Sequence, residues 1–297
     1  MNYKLFLECR DAYKNGQNVM DLVQKSVPNS RSLAIEIAYD LQAGTYIRDF
    51  YNNEEKKRMY TDEGGDILER HINKDSVILN VGAGELWTIA LMVDRISVKP
   101  KMVYNLEISW SRIYKGCSFW NDIHGASIKM KPLVADMLEI PLPTKSVDIV
   151  TSSHALEANG SQLSEIVNEL FRVSRDKCVL FEPCYELCSK EGRERMDRLG
   201  YIKDVENVVK NLGGSVENII PITHSSNALN PTACFIIKVP PSYATYEGGS
   251  HFTVPGTDYL LEHKKDCYYS IDTGIAFPIL KGIPILKSDS AILASKY

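Results

Sequence analysis

Hydrophobic positions recur at helical spacing through roughly the first 72 residues and then change period. Leu5, Cys9 and Tyr13, then Val19, Leu22 and Val23, lie three or four apart, as one buried helix face requires. A break at Pro28-Asn29-Ser30 can cap a helix expected over Ser32 to Gln42. Gly44 interrupts the run from Ala38 to Ile47; glycine in a helix costs about 1 kcal/mol against alanine, so it marks a bend or a close approach. One more helix is expected over Thr61 to Ile72, its start delayed by Gly64-Gly65. Residues 1–72 therefore read as a helical cap.

From residue 77 strands and helices alternate. Strands are expected at Val77–Val81, Met102–Leu106, Ile128–Val134, Val147–Ser152 and Lys177–Phe181. Helices are expected at Leu86–Ile96, Trp110–Ile123, Leu163–Ser174 and Glu191–Leu212. That alternation implies an α/β unit with a parallel sheet covered on both faces. After Gly213-Gly214 come two strands, Val216–Ile222 and Ala233–Val239, joined by a loop too short for a crossover helix, so they should form an antiparallel hairpin. Beyond Pro240-Pro241, Gly248-Gly249, Pro255-Gly256, Gly274, Pro278, Gly282 and Pro284 punctuate short apolar pieces. The chain thus divides into 1–72, 73–240 and a small β-rich module over 241–297.

Composition narrows the class. A hydrophobic content of 44% with 24% charged residues is that of an ordinary globular chain. A net charge of −4 argues against nucleic acid as the main partner, because phosphate binding favours a basic surface. No apolar run approaches the length of a membrane span, and Met1-Asn2-Tyr3-Lys4 leads into a charged amphipathic segment, so neither membrane nor export is expected. Seven scattered cysteines suit free thiols in a cytoplasmic setting. Cys184 and Cys188 share a helical spacing but have no matching pair, so no metal is expected.

Candidate chemistry collects at strand ends. Val77 to Val81 runs into Gly82-Ala83-Gly84 and then an apolar helix, the strand–turn–helix that lets backbone N–H groups approach a ligand. Glycine at 82 and 84 allows positive φ and close approach. Glu107 ends the second strand, about 20 residues past the turn, where a carboxylate accepts from ribose hydroxyls. Asp136 and Met137 follow the third strand, a carboxylate for an exocyclic amine and a thioether for a ring. Ser152, Ser153 and His154 end the fourth. Each alone would also suit a plain turn, a helix cap or a solvated strand end. Four in order point to a nucleoside-containing cofactor at the carboxyl edge of the sheet.

The ordered set Asn80-Val81-Gly82-Ala83-Gly84, Glu107, Ala135-Asp136-Met137-Leu138-Glu139-Ile140-Pro141-Leu142 and Val147 to His154 resembles the class I S-adenosylmethionine-dependent methyltransferases, over about residues 75–240. The resemblance implies a Rossmann-like seven-stranded, mostly parallel sheet with one antiparallel strand. It also implies S-adenosylmethionine as cofactor. Gly82 and Gly84 would face its methionine part, Glu107 the ribose, and Asp136 with Met137 the adenine; Ser152 and Ser153 would complete the cofactor set. The chain departs from the family at Asn80, where Asp or Glu is usual, and at Leu86, where a third glycine often stands. Gly274 to Leu286 looks like the closing part of a zinc-ribbon activator module without its cysteine pairs, which implies a metal-free relic packed on the catalytic domain.

The expected activity is methylation of a small metabolite, saccharide intermediate or natural-product precursor. His154 and Glu157 are the candidates for removing the acceptor's proton, sharing a face if a helical turn follows the fourth strand. Tyr39, Gln42, Tyr46, Asn159, Glu182 and Tyr185 are candidate substrate contacts, with His224 joining from a loop. Two other classes stay open. One uses S-adenosylmethionine without methylation, by cyclisation or aminocarboxypropyl transfer, and leaves methylthioadenosine where methyl transfer leaves S-adenosylhomocysteine (SAH). The other is a non-catalytic scaffold.

Overall fold

The computed structural model describes residues 3–28, 30–225, 227–241, 246, 248 and 251–297. Asn29 and Gly249, named above among the breakers, lie outside the described residues. Helices α1 (Tyr3–Lys14), α2 (Val19–Ser26), α3 (Arg31–Leu41), α4 (Thr45–Asn52) and α5 (Glu54–Glu69) precede the first strand. The first three bury a small cluster of their own, made by Leu5, Cys9, Val19, Val23, Ala34, Ile37 and Ala38. Asn18 caps α2 by accepting from the backbone N–H groups of Met20 and Asp21.

Helix α5 begins seven residues before the expected Thr61 and runs unbroken through Gly64-Gly65. The glycines serve packing. A Cβ at Gly64 would lie 2.3 Å from Met92 Cε, and one at Gly65 2.9 Å from the Met92 carbonyl oxygen. Their bareness lets α5 lie directly against the helix that carries Met92.

The sheet follows the expected alternation. It comprises β1 (Val77–Val81), β2 (Met102–Glu107), β3 (Met130–Val134), β4 (Val147–Ser153), β5 (Ser174–Pro183), β6 (Ser215–Pro221) and β7 (Thr232–Lys238). Their order is β3-β2-β1-β4-β5-β7-β6, with only β7 antiparallel to its neighbours. The connecting helices are α6 (Trp87–Arg95), α7 (Trp110–His124), α8 (Leu163–Val173), α9 (Lys190–Leu199) and α10 (Val205–Asn211). The single helix expected over 191–212 is two, because Gly200 turns left-handed (φ 64°) and closes α9 as its C-cap. Apolar layers cover both faces: α8 and α10 pack on one, α5, α6 and α7 on the other.

The last segment forms a small antiparallel sheet of β8 (Phe252–Thr253), β9 (Leu260–His263), β10 (Cys267–Ser270), β11 (Ile275–Leu280), β12 (Ile283–Pro284) and β13 (Ile292–Leu293). It docks on the edge strand β3, where Ile285 bridges Val134 in parallel and Leu286 N–H donates to the Val134 carbonyl at 2.7 Å. Phe252, Leu261, Phe277 and Leu286 join the same apolar layer as α8. The module therefore covers an edge that would otherwise present unpaired backbone groups.

Candidate active site

The strand order reverses between β1 and β4, and a crevice opens at their carboxyl ends, as such a switch point requires. Val81 leads into a turn in which Gly82 (φ 60°), Gly84 (φ 56°) and Leu86 (φ 61°) are all left-handed. The first two suit glycine. Leu86 takes that conformation with a buried side chain at the start of α6, a strained position for a bulky residue. A Cβ on Gly82 would meet that of Ala155 at 2.3 Å, so the bare turn lets the loop after β4 close directly onto the end of β1.

Turn and loop together border one cavity of about 300 Å³. Gly82, Gly84, Glu107, Asp136, Met137, Ser152 and Ser153 all line it, so the strand-end residues picked from sequence converge on one space. Glu107 is buried and accepts from the backbone N–H groups of Gly84 (2.7 Å) and Ser109 (3.0 Å), which ties the end of β2 to the glycine turn. Asp136 turns the chain by accepting from Leu138 N–H. Asn80 donates across the sheet to Asn105.

The amino-terminal helices close the space from above. Glu85, 1% exposed, accepts from the N–H groups of Gly44 (2.7 Å) and Ile47 (2.8 Å) at the start of α4. Arg31 donates twice to the Ala158 carbonyl, and Asp40 accepts from Ser109 Oγ at 2.7 Å. Through these ties Tyr39, Tyr46 and Tyr60 reach the cavity. Tyr60 OH lies 2.7 Å from Ser153 Oγ, and burial pushes its phenol well above the usual range. Arg112, from the first turn of α7, lies against the faces of Tyr39 and Tyr46, 4.9 and 4.5 Å from their ring centres.

At the end of β4, His154 is left-handed (φ 52°) and both ring nitrogens are engaged. Nδ1 lies 3.0 Å from Glu157 Oε2 and Nε2 2.8 Å from Thr232 Oγ1. Burial lowers the imidazole's affinity for a proton, but the bond to Glu157 and its charge outweigh burial and hold the pKa above the usual value. Asn230 donates to Glu157 Oε2 at 3.2 Å. Beneath them Glu182 Oε1 accepts from Ser152 Oγ, Ala155 N–H and Leu156 N–H, pinning the strained loop. Its Oε2 is buried without a partner among the described residues, and burial raises its pKa to about 7.

Of the proposed proton acceptors and substrate contacts, His154, Glu157, Tyr39, Tyr46, Asn159 and His224 line the cavity. Gln42, Glu182 and Tyr185 do not. Gln42 ends α3 as its C-cap, Glu182 lies under the floor, and Tyr185 donates to Asp197 near the surface. Sequence reasoning passed over Glu85, Arg112 and Thr232. Glu85 carried a weak signal, a charge between the glycine turn and an apolar helix; Thr232 carried none. Among the described residues no group of three or more His, Cys, Asp or Glu is placed to hold a metal ion, and no helix is long and apolar enough to cross a membrane.

Residues 79–181 match the model of the methyltransferase domain family. No curated protein matches the sequence. Among solved structures, a magnesium protoporphyrin IX methyltransferase from Synechocystis PCC 6803 with bound SAH aligns with a TM-score of 0.52 at 10% identity, covering 68% of this chain and 98% of that one. A chain from the complex between the Haloferax volcanii Trm112 methyltransferase activator and a protein assigned as its methyltransferase aligns with a TM-score of 0.51 at 13% identity, covering 66% of this chain and 94% of that one. At such identities the likeness is one of fold.

Proposed function

We propose that this chain, which carries a methyltransferase domain over residues 79–181, is an S-adenosylmethionine-dependent methyltransferase acting on a small acceptor. One observation carries the reading: the ends of β1, β2, β3 and β4 deliver Gly82, Gly84, Glu107, Asp136 and Ser152 to a single cavity on the carboxyl edge of the sheet. The residues suit a nucleoside. Gly82 and Gly84 present backbone to the cavity, Glu107 offers a carboxylate to paired hydroxyls, and Asp136 with Met137 offers an acceptor and an apolar face. Closure of the cavity by α3, α4 and α5, with three tyrosines inside, suits a small molecule better than a polymer.

When bound, S-adenosylmethionine would supply a sulfonium-activated methyl carbon, which a positioned nucleophile attacks in line as the thioether leaves. The chain's own part is to orient the acceptor and take its proton. In the tautomer with Nδ1–H donated to Glu157, His154 Nε2 holds its lone pair toward Thr232 Oγ1. Nε2 is free to receive the acceptor's proton once the ring turns away from Thr232, whose Oγ1 keeps a partner in Ser225 Oγ, 3.2 Å away. Glu157 then faces an imidazolium across 3.0 Å and stabilises it.

Incubating the protein with S-adenosylmethionine and a panel of small hydroxyl, amine and carboxylate acceptors, and identifying the nucleoside released, tests this. SAH with a methylated acceptor is expected. Methylthioadenosine would move the chain to non-methylating chemistry, and failure to bind either nucleoside would end the reading.

A further inference from the structure

The guanidinium of Arg112 is placed as a receptor without an occupant. Its side chain is 11% exposed and faces the cavity, yet among the described residues it makes no hydrogen bond. Its Nε is buried and unpartnered, and its nearest carboxylate, Glu107 Oε1, is 4.0 Å from Nη1. Each carboxylate oxygen of Glu107 accepts one backbone N–H, from Gly84 or Ser109, and keeps a second lone pair for a ligand hydroxyl.

A buried charge without hydrogen bonds is costly, and the surroundings do not neutralise it so much as aim it. The ring faces of Tyr39 and Tyr46 lie 4.9 and 4.5 Å from the guanidinium carbon and hold it by cation–π contact. Nη2 hangs over the glycine turn, 2.7 Å from where a Cβ on Gly84 would stand. The fork is thus fixed above the one backbone segment built for close approach by a ligand, and a planar fork of N–H donors pairs best with a carboxylate.

We propose that Arg112 binds the α-carboxylate at the amino-acid end of the cofactor, held between Tyr39 and Tyr46 over Gly84. This rests on the nucleoside reading above, which puts that end of the molecule at Gly82 and Gly84. Tyr39 and Tyr46 act through Arg112, so the amino-terminal helices α3 and α4 complete the cofactor site and do more than cover the acceptor. A ligand carrying the adenosine and the sulfur chain without the carboxylate is left with an unpaired guanidinium beside it.

The test is calorimetric titration of SAH, and of its decarboxylated analogue S-adenosyl-3-thiopropylamine, into the wild-type protein, Arg112→Gln and Arg112→Lys. The wild type is expected to favour SAH by about 10- to 100-fold, the range of a charge-assisted bond. Arg112→Gln should lose that preference while keeping its affinity for the analogue, and Arg112→Lys should retain part of it. If Arg112 merely props the cap, Arg112→Gln weakens both ligands alike and the preference survives. Such a result overturns the assignment, as does unchanged binding of SAH. A wild type that binds neither ligand refutes the nucleoside reading itself, which separates the two failures.

Discussion

The carboxylate of Glu85 caps a helix that begins forty-odd residues earlier, accepting from the backbone N–H of Gly44 at 2.7 Å. A second bond, from Ile47 N–H at 2.8 Å, engages its other oxygen. Gly44 has φ 93°, so no other residue type would turn there without strain and still aim its N–H at Glu85. The residue that follows the glycine turn thus anchors the lid over that turn. Negative charge at the start of α4 is also favoured by the helix dipole.

Removing that carboxylate should loosen the lid. Glu85→Ala leaves two N–H groups unpaired at a buried site and is expected to cost about 2–3 kcal/mol in denaturant unfolding. KM should rise more than kcat falls, because the helices bearing Tyr39 and Tyr46 lose their tie to α6. Glu85→Gln, which keeps one acceptor oxygen, should recover about half the loss. An unfolding midpoint for Glu85→Ala equal to that of the wild type would show that the bonds are incidental.

What could be read without coordinates was whatever is local. Strand ends announce themselves, since a β-favouring run followed by Gly82-Ala83-Gly84, by Glu107 or by Asp136 carries its meaning in adjacent residues. Glu85 and Arg112 were illegible because their partners, Gly44 in one case and two tyrosines of the cap in the other, are brought to them only by the fold. Gly64-Gly65 misled for a related reason. Local rules treat paired glycines as helix breakers, yet here the missing side chains are what α6 occupies, and the packing gained outweighs the propensity lost. Glu182 ends a strand as legibly as Glu107 does, but its side chain turns beneath the loop, a choice that sequence does not encode locally.

Glu182 gives stability a pH dependence with a definite sign. Its folded pKa of about 7 lies above the usual 4.5, so between those values the folded protein binds the extra proton. Stability therefore falls as pH rises across that window, by roughly 3 kcal/mol at most. Glu182→Gln should flatten this slope. The raised pKa of His154 acts in the same sense, so the informative quantity is the difference between wild type and variant at pH 5 and pH 8. Equal differences at the two pH values would show that Glu182 is not the group responsible.

His154 should impose a rising limb on the pH–rate profile. It accepts a proton only as neutral imidazole, and Glu157 holds its pKa above the usual value of about 6.5. Rate should thus climb with pH and level off once the imidazole has lost its proton. His154→Ala should lower kcat about 100-fold or more and remove the limb. In Glu157→Gln the charge that favours the imidazolium is gone, so the midpoint should move to lower pH. A midpoint that stays put in Glu157→Gln would detach the limb from this pair.

The final prediction concerns the carboxy-terminal module, whose Lys287 reaches Glu36 on α3 at 2.7 Å with both side chains largely buried. Glu36 precedes Tyr39 by three positions, so this pair couples the module to the helix that lines the cavity. Removing one member strands a charge. Lys287→Met is expected to cost about 3–5 kcal/mol, whereas the double variant Lys287→Met/Glu36→Met should regain most of it, since two apolar side chains can replace a buried pair. The loss should also depend on pH. Burial already raises the pKa of Glu36 despite the lysine beside it, so without Lys287 the carboxyl takes up a proton more readily still. The penalty in Lys287→Met should therefore be smaller at pH 5 than at pH 8. Denaturant unfolding of the three proteins at both pH values checks each part, and a double variant as unstable as the single one at pH 8 would show that the pair is not what joins the module to the cap.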